Sequence, residues 1–246
     1  MRFYLFLFFQ ILCSYSFSQV IYMEEIKDND KDGFSSAVEL EYDYNKSKEV
    51  DIEFVNKSFL RWDNQFWTFY FFNEIDFNRL DKKDLANDGQ QHFRVCYHLK
   101  DKYSIESFVQ NKKDLVLNLQ NRFLSALGLK SKLPFVDYIG IYTIYEYEQI
   151  IGGQPQRDMR ISFSNQFTYN VMKKAVLTSN FHYQPNIKEL YDYRLAFEVS
   201  LSFPVLNNLF LKNTFVLDHD TYPANDNLPR TTYQLKNSLI YKFTKK

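Results

Sequence analysis

Apolar and polar residues alternate one for one along most of this chain. Between residues 191 and 203, Tyr191, Tyr193, Leu195, Phe197, Val199, Leu201 and Phe203 hold one parity, and Asp192, Arg194, Ala196, Glu198, Ser200 and Ser202 hold the other. Successive side chains of a strand point to opposite faces, so the segment has one greasy and one polar face. Residues 157–169 set Met159, Ile161, Phe163, Phe167 and Tyr169 against Arg160, Ser162, Ser164 and Gln166. Residues 231–243 do the same with Tyr233, Leu235, Leu239, Tyr241 and Phe243. With similar runs near 35–45, 48–62, 65–77, 91–100, 103–111, 116–130, 136–148, 174–184 and 206–218, the pattern predicts about 12 strands.

The runs are about twice as long as the roughly 5 or 6 residues of an ordinary strand. Their connections alternate in length. Longer ones at 78–90, 149–156 and 219–230 are interleaved with tight ones near Asp63, Asp101, Ser131 to Pro134, Met172 and Pro204. In a bilayer every backbone N–H and C=O needs a partner within the protein, so an all-strand membrane protein must close on itself. The expected fold is an all-β, antiparallel transmembrane outer-membrane β-barrel with short periplasmic turns and longer extracellular loops. An even strand number puts both termini at the short-turn end. A soluble sandwich also alternates, but with shorter strands and without an aromatic outer face on so many of them. Trp62, Trp67, Tyr145, Tyr147, Tyr191 and Tyr193 fall near strand ends, where interfacial girdles belong.

Composition fits this reading. Aromatics make up 19% of the 246 residues while mean hydropathy is −0.42, so apolar and polar positions must be finely interleaved. Lys plus Arg and Asp plus Glu both number 30, which gives no sign of a nucleic-acid partner. Arg2, the apolar run Phe3 to Cys13 and small residues at Ser16 and Ser18 read as a signal peptide over 1–18, too short an apolar run for a spanning helix. Cys13 lacks the small residues before it that a lipid attachment site has. A periplasmic leader over 19–33 and a barrel over 34–246 follow. Cys96 is then the only cysteine of the mature chain, which rules out an internal disulfide.

The alternation aims Glu106, Arg122, Glu146, Arg160, Arg194 and Glu198 into the lumen. Glu146 and Arg160 flank one loop, Glu106 and Arg122 another, so each pair is expected to meet across a hairpin. Such charges either hold the interior together or form a charged constriction. About 12 strands lie between a side-chain-filled barrel and a wide aqueous channel. His92, His182 and His219 fall near the longer loops, with His219 between Asp218 and Asp220, but no nucleophile accompanies them. Asp28, Asp30, Asp32 and Glu39 spell a calcium-loop pattern, yet Glu39 already belongs to an alternating run; no metal or other cofactor is expected.

The chain resembles the uncharacterised bacterial outer-membrane proteins labelled domain of unknown function 481, sometimes called salt-induced outer-membrane proteins. The resemblance rests on ESFVQNKKDLVLNLQNRFLSALGL (106–129), IYEYE (144–148), YQPNIKELYDYRLAFEVSLSF (183–203) and KNSLIYKF (236–243). It implies an outer-membrane barrel and carries no substrate or catalytic residue. Lys236, Ser238, Tyr241 and Phe243 look like the terminal signal read by the barrel-assembly machinery, with outer-membrane lipid as the other partner. Lipid-facing aromatics read alike in a monomer and an oligomer, so oligomeric state stays open. The function expected is a narrow porin-like or osmotic-stress-related channel. The alternatives are a non-conducting barrel whose loops 78–90 and 219–230 meet a partner, and third a lipid-modifying enzyme.

Overall fold

The computed structural model describes residues 33–46, 50–80, 83–100, 102–114, 119–171, 175–223 and 229–244. The expected signal peptide, all of the expected leader except Gly33, and Asp28, Asp30 and Asp32 of the calcium-like pattern lie outside them. Twelve strands make up the fold: β1 Gly33–Lys46, β2 Val50–Asp63, β3 Trp67–Leu80, β4 Lys83–Lys100, β5 Tyr103–Asp114, β6 Leu119–Leu133, β7 Val136–Ile150, β8 Gln156–Asn170, β9 Val176–Pro185, β10 Tyr193–Pro204, β11 Leu209–Asp220 and β12 Thr231–Thr244. Each pairs antiparallel with its chain neighbours, and β1 pairs with β12 to close the barrel.

Parity decides which way every side chain points. On β5 the burial alternates without a break, with Glu106, Phe108, Gln110, Lys112 and Asp114 buried inside. Outward positions such as Leu40, Leu60, Phe71, Phe93, Leu127, Ile141, Phe163 and Leu239 are exposed on β1 to β4, β6 to β8 and β12. An apolar exterior around a polar interior is the arrangement of an outer-membrane-type barrel, in which closure leaves no strand edge exposed to lipid. Among the described residues no helix is long and apolar enough to cross a membrane.

The connections differ at the two ends. At the end carrying the termini they are short, and the Asn64 side chain closes one of them by accepting the Phe66 and Trp67 N–H groups at 2.9 and 2.8 Å. At the far end the β9–β10 and β11–β12 connections, 186–192 and 221–230, are the longest. The β7–β8 turn places Gly152 at φ 76°, a conformation that glycine adopts without steric cost.

The long loop expected at 78–90 is instead a hairpin. Arg79 pairs with Asp84 and Leu80 with Lys83 past a register shift near Asn78, and β4 runs for 18 residues. Backbone pairing needs no apolar alternation once a hairpin leaves the bilayer, which is why its polar composition read as loop. The 191–203 run is also shorter than its pattern: β10 begins at Tyr193, and Asp192 belongs to the preceding connection. Trp62 packs on Phe69, Trp67 on Tyr97, and Tyr193 lies between Tyr183 and His219, whereas Tyr191 projects from the loop as one of the most exposed residues.

Candidate functional site in the barrel lumen

The inner face of β7 links two clusters of charge. Reading toward the far end it presents Tyr138, Gly140, Tyr142, Ile144, Glu146 and Glu148. Glu146 is the hub of the upper cluster. Its Oε2 accepts Nε of Arg160 at 3.0 Å, and its Oε1 accepts Nε of Arg122 at 2.5 Å and Nη1 of Arg194. Arg122 also lies 3.2 Å from Glu148, and Arg194 donates its Nε to Asp220 at 2.8 Å. Three arginines from β6, β8 and β10 thus converge beneath the longer connections, with every member of the cluster buried.

The second cluster sits toward the termini around Glu106. Its Oε2 accepts the Tyr142 hydroxyl and its Oε1 the Cys96 thiol at 3.0 Å, with Arg94 at 3.6 Å and Lys130 at 3.7 Å. Arg94 donates Nε to His92 at 3.3 Å, whose Nδ1 meets Gln110 at 3.1 Å. Between the two clusters Phe108, Leu124, Ala126, Tyr142 and Ile144 pack together. Nearer the β1–β12 seam Ala37, Phe59, Tyr70, Phe72, Cys96 and Ile240 form another apolar cluster.

The close fit of the Tyr142 ring has a sequence cause. It lies over two glycines: a Cβ on Gly128, its cross-strand partner, would stand 2.2 Å from the ring, and one on Gly140 would stand 2.6 Å away. A cavity lined by Arg94, Phe108, Tyr138, Tyr142, Ser162, Ser164 and His182 has a volume of about 10 Å³, room for about one water.

All six charges singled out from the sequence share the inward parity of their strands, but they do not pair as expected. Glu146 and Arg160 do meet, offset by one inward step, because Glu146 is registered with Asp158 and Arg160 with Ile144. Glu106 and Arg122 do not meet. Arg122 is registered with Lys112, six residues or about 20 Å along β5 from Glu106, because the hairpin turns too far from Glu106 to bring the two level. Glu198 is half-exposed on β10, in register with Asn180 and Val216. Glu148 was readable from parity, since it lies on the inward side of a strand already recognised, whereas Asp220 falls in the stretch that read as a loop. Asp192 shares the polar parity of the 191–203 run, but it is the β9–β10 connection that brings it to Arg160.

The histidines do not converge. His92 is locked between Gln110 and Arg94, His182 faces the lumen on β9, and His219 lies on the outer parity of β11, bonded to Thr231 at 2.8 Å. Glu39 points into the barrel and accepts the Ser238 hydroxyl at 2.5 Å. Among the described residues no group of three or more His, Cys, Asp or Glu is arranged to hold a metal ion.

Solved structures with this architecture include the NanC porin, 14% identical over 84% of this chain and 97% of that one, with a TM-score of 0.50. An outer membrane channel from Pseudomonas putida F1 is 11% identical over 91% of this chain and 100% of that one, with a TM-score of 0.56. At such identities the likeness concerns the fold. No curated protein matches the sequence. The model of the family described as Protein of unknown function, DUF481, matches residues 38–243. That span takes in all twelve strands from within β1 to within β12, and the chain belongs to the DUF481 family.

Proposed function

We propose that this protein is a narrow channel of the bacterial outer membrane that the charged clusters keep closed until they part. The observation that carries the reading is the convergence of Arg122, Arg160 and Arg194 from three different strands on Glu146 of a fourth, at the mouth of the lumen. Charges of both signs at a constriction are how a pore discriminates among solutes, and a network of mobile side chains is easier to rearrange than an apolar plug. The porin and channel among its structural neighbours agree with the reading. In it, residues 1–18 direct export and β12, with Tyr241 and Phe243 outward at its end, is presented to the assembly machinery.

Single-channel recording of the refolded mature chain in a planar bilayer tests this. Discrete currents whose ion selectivity changes in Arg194→Ala are expected. A folded barrel that stays silent in both forms overturns the channel and leaves a second reading, a structural or interaction barrel, which the burial of the lumen charges favours.

A further inference from the structure

Buried polar atoms without a hydrogen-bond partner are densest on one wall of the lumen, β8 to β12, with others at Glu39, Gln90 and Gln110 on β1, β4 and β5. Ser164 Oγ, Gln166 Oε1, both ends of the Asn180 amide, His182 Nδ1, Asp218 Oδ1 and Gln234 Oε1 are shielded from solvent and make no hydrogen bond within the protein. Strand register joins them into two adjacent inward rows. One runs Ser164, His182, Ala196, Asp218, Thr232 from β8 to β12; the next runs Gln166, Asn180, Glu198, Val216, Gln234. At the centre of this wall Ala196, Glu198 and Ser202 are half-exposed, while Ser200 beside them is buried. On the β5–β7 side Phe108, Leu124, Tyr142 and Ile144 pack against one another.

An unpartnered buried polar atom costs about 1 to 3 kcal/mol, and a cluster of them in a folded protein marks a place for water or a polar guest. Most of these groups are uncharged, and they include the Asn180 amide N–H as donor and the Gln166 and Gln234 carbonyls as acceptors. Hydroxyl groups both donate and accept, so a solute carrying several of them matches the mixture, where a simple ion would satisfy one sense only. Ser162, Ser164 and His182 also face Phe108, Tyr138 and Tyr142 across the same small cavity.

We infer that the solute path follows the β8–β12 wall and that it takes an uncharged polyhydroxy compound of the sugar type. The inference rests on the channel reading and names its substrate class. Two measurements test it in a Cys96→Ser background, which removes the one cysteine of the described residues and keeps a donor for Glu106. In the first, Asn180→Cys and Gln234→Cys are expected to react with a small water-soluble methanethiosulfonate while Phe72→Cys and Ile144→Cys do not. Equal or faster labelling of the latter pair overturns the assigned path. In the second, D-glucose is expected to block the ionic current reversibly, with the block lost in the Gln166→Leu, Asn180→Leu double variant while the current remains. A current indifferent to glucose overturns the solute class and leaves the channel standing. If no current flows, the channel fails, and saturation-transfer-difference NMR of the refolded barrel with D-glucose decides the binding: no signal overturns the solute class.

Discussion

Arg160 holds Asp192 through two bonds from Nη2, 3.0 Å to Oδ1 and 2.9 Å to Oδ2. Its Nη1 also reaches the Asp192 and Gln184 carbonyls, each at 3.3 Å, and Asn186 Nδ2 donates to Asp192 Oδ2 at 2.9 Å. Because Asp192 ends the β9–β10 connection, these bonds tie that loop to the barrel wall.

Asp192→Asn should therefore loosen residues 186–192. Hydrogen bonds to a charged group contribute about 1.5 to 3 kcal/mol, and a loss of that size is expected in the urea-unfolding midpoint. Limited proteolysis is the sharper readout: new cleavage should appear between Ile187 and Tyr191. A variant as resistant as the parent would show that the loop is held by its backbone bonds, Asn186 N–H to Asp192 and Ile187 N–H to Met159.

Glu146 faces three guanidinium groups, and its removal leaves all of them short of a partner. Breaking a buried ion pair from one side costs about 3 to 5 kcal/mol. Glu146→Ala should approach that figure in equilibrium unfolding and exceed Glu148→Ala, whose contacts are longer at 3.2 and 3.4 Å. Equal costs for the two would remove Glu146 from the centre of the network.

Gly128→Ala should displace the Tyr142 ring and with it the hydrogen bond to Glu106. The added methyl would also stand 2.4 Å from the Ile141 carbonyl, which is backbone and cannot swing aside. Overpacking of this kind costs about 1 to 3 kcal/mol. Pairing it with Tyr142→Ala, which vacates the space of the ring, separates the two clashes: partial recovery is expected, and full recovery would mean that the carbonyl does not matter.

Leu127 is an outward residue in the middle of β6 and among the more exposed apolar side chains, at 61%. An arginine on the lipid face near the midplane costs about 2 to 4 kcal/mol, so Leu127→Arg should fold less readily into lipid vesicles by that margin. A harmless Leu127→Arg would place this face against water and contradict the membrane reading.

The period of two was enough to find the strands and to assign each side chain to lipid or lumen, because pleating is a local property of the chain. Phe123 and Arg122, neighbours in sequence, go to opposite sides for that reason alone. Local pattern failed where backbone pairing continues without apolar alternation, as at Arg79 and Asp84, and where an alternating residue leaves the strand, as Asp192 does.

Which lumen charges meet was a different matter. Register and closure set the height of each residue around the barrel, so Glu106 finds Tyr142, Arg94 and Lys130 in place of Arg122, and Arg194 reaches Glu146 across 48 residues of chain. The sequence by itself determined what faces inward, through alternation that any strand must obey. Only the tertiary structure decided which inward groups are partnered and which, such as Asn180, are left without a bond, because that depends on where twelve strands bring their side chains together inside one closed wall.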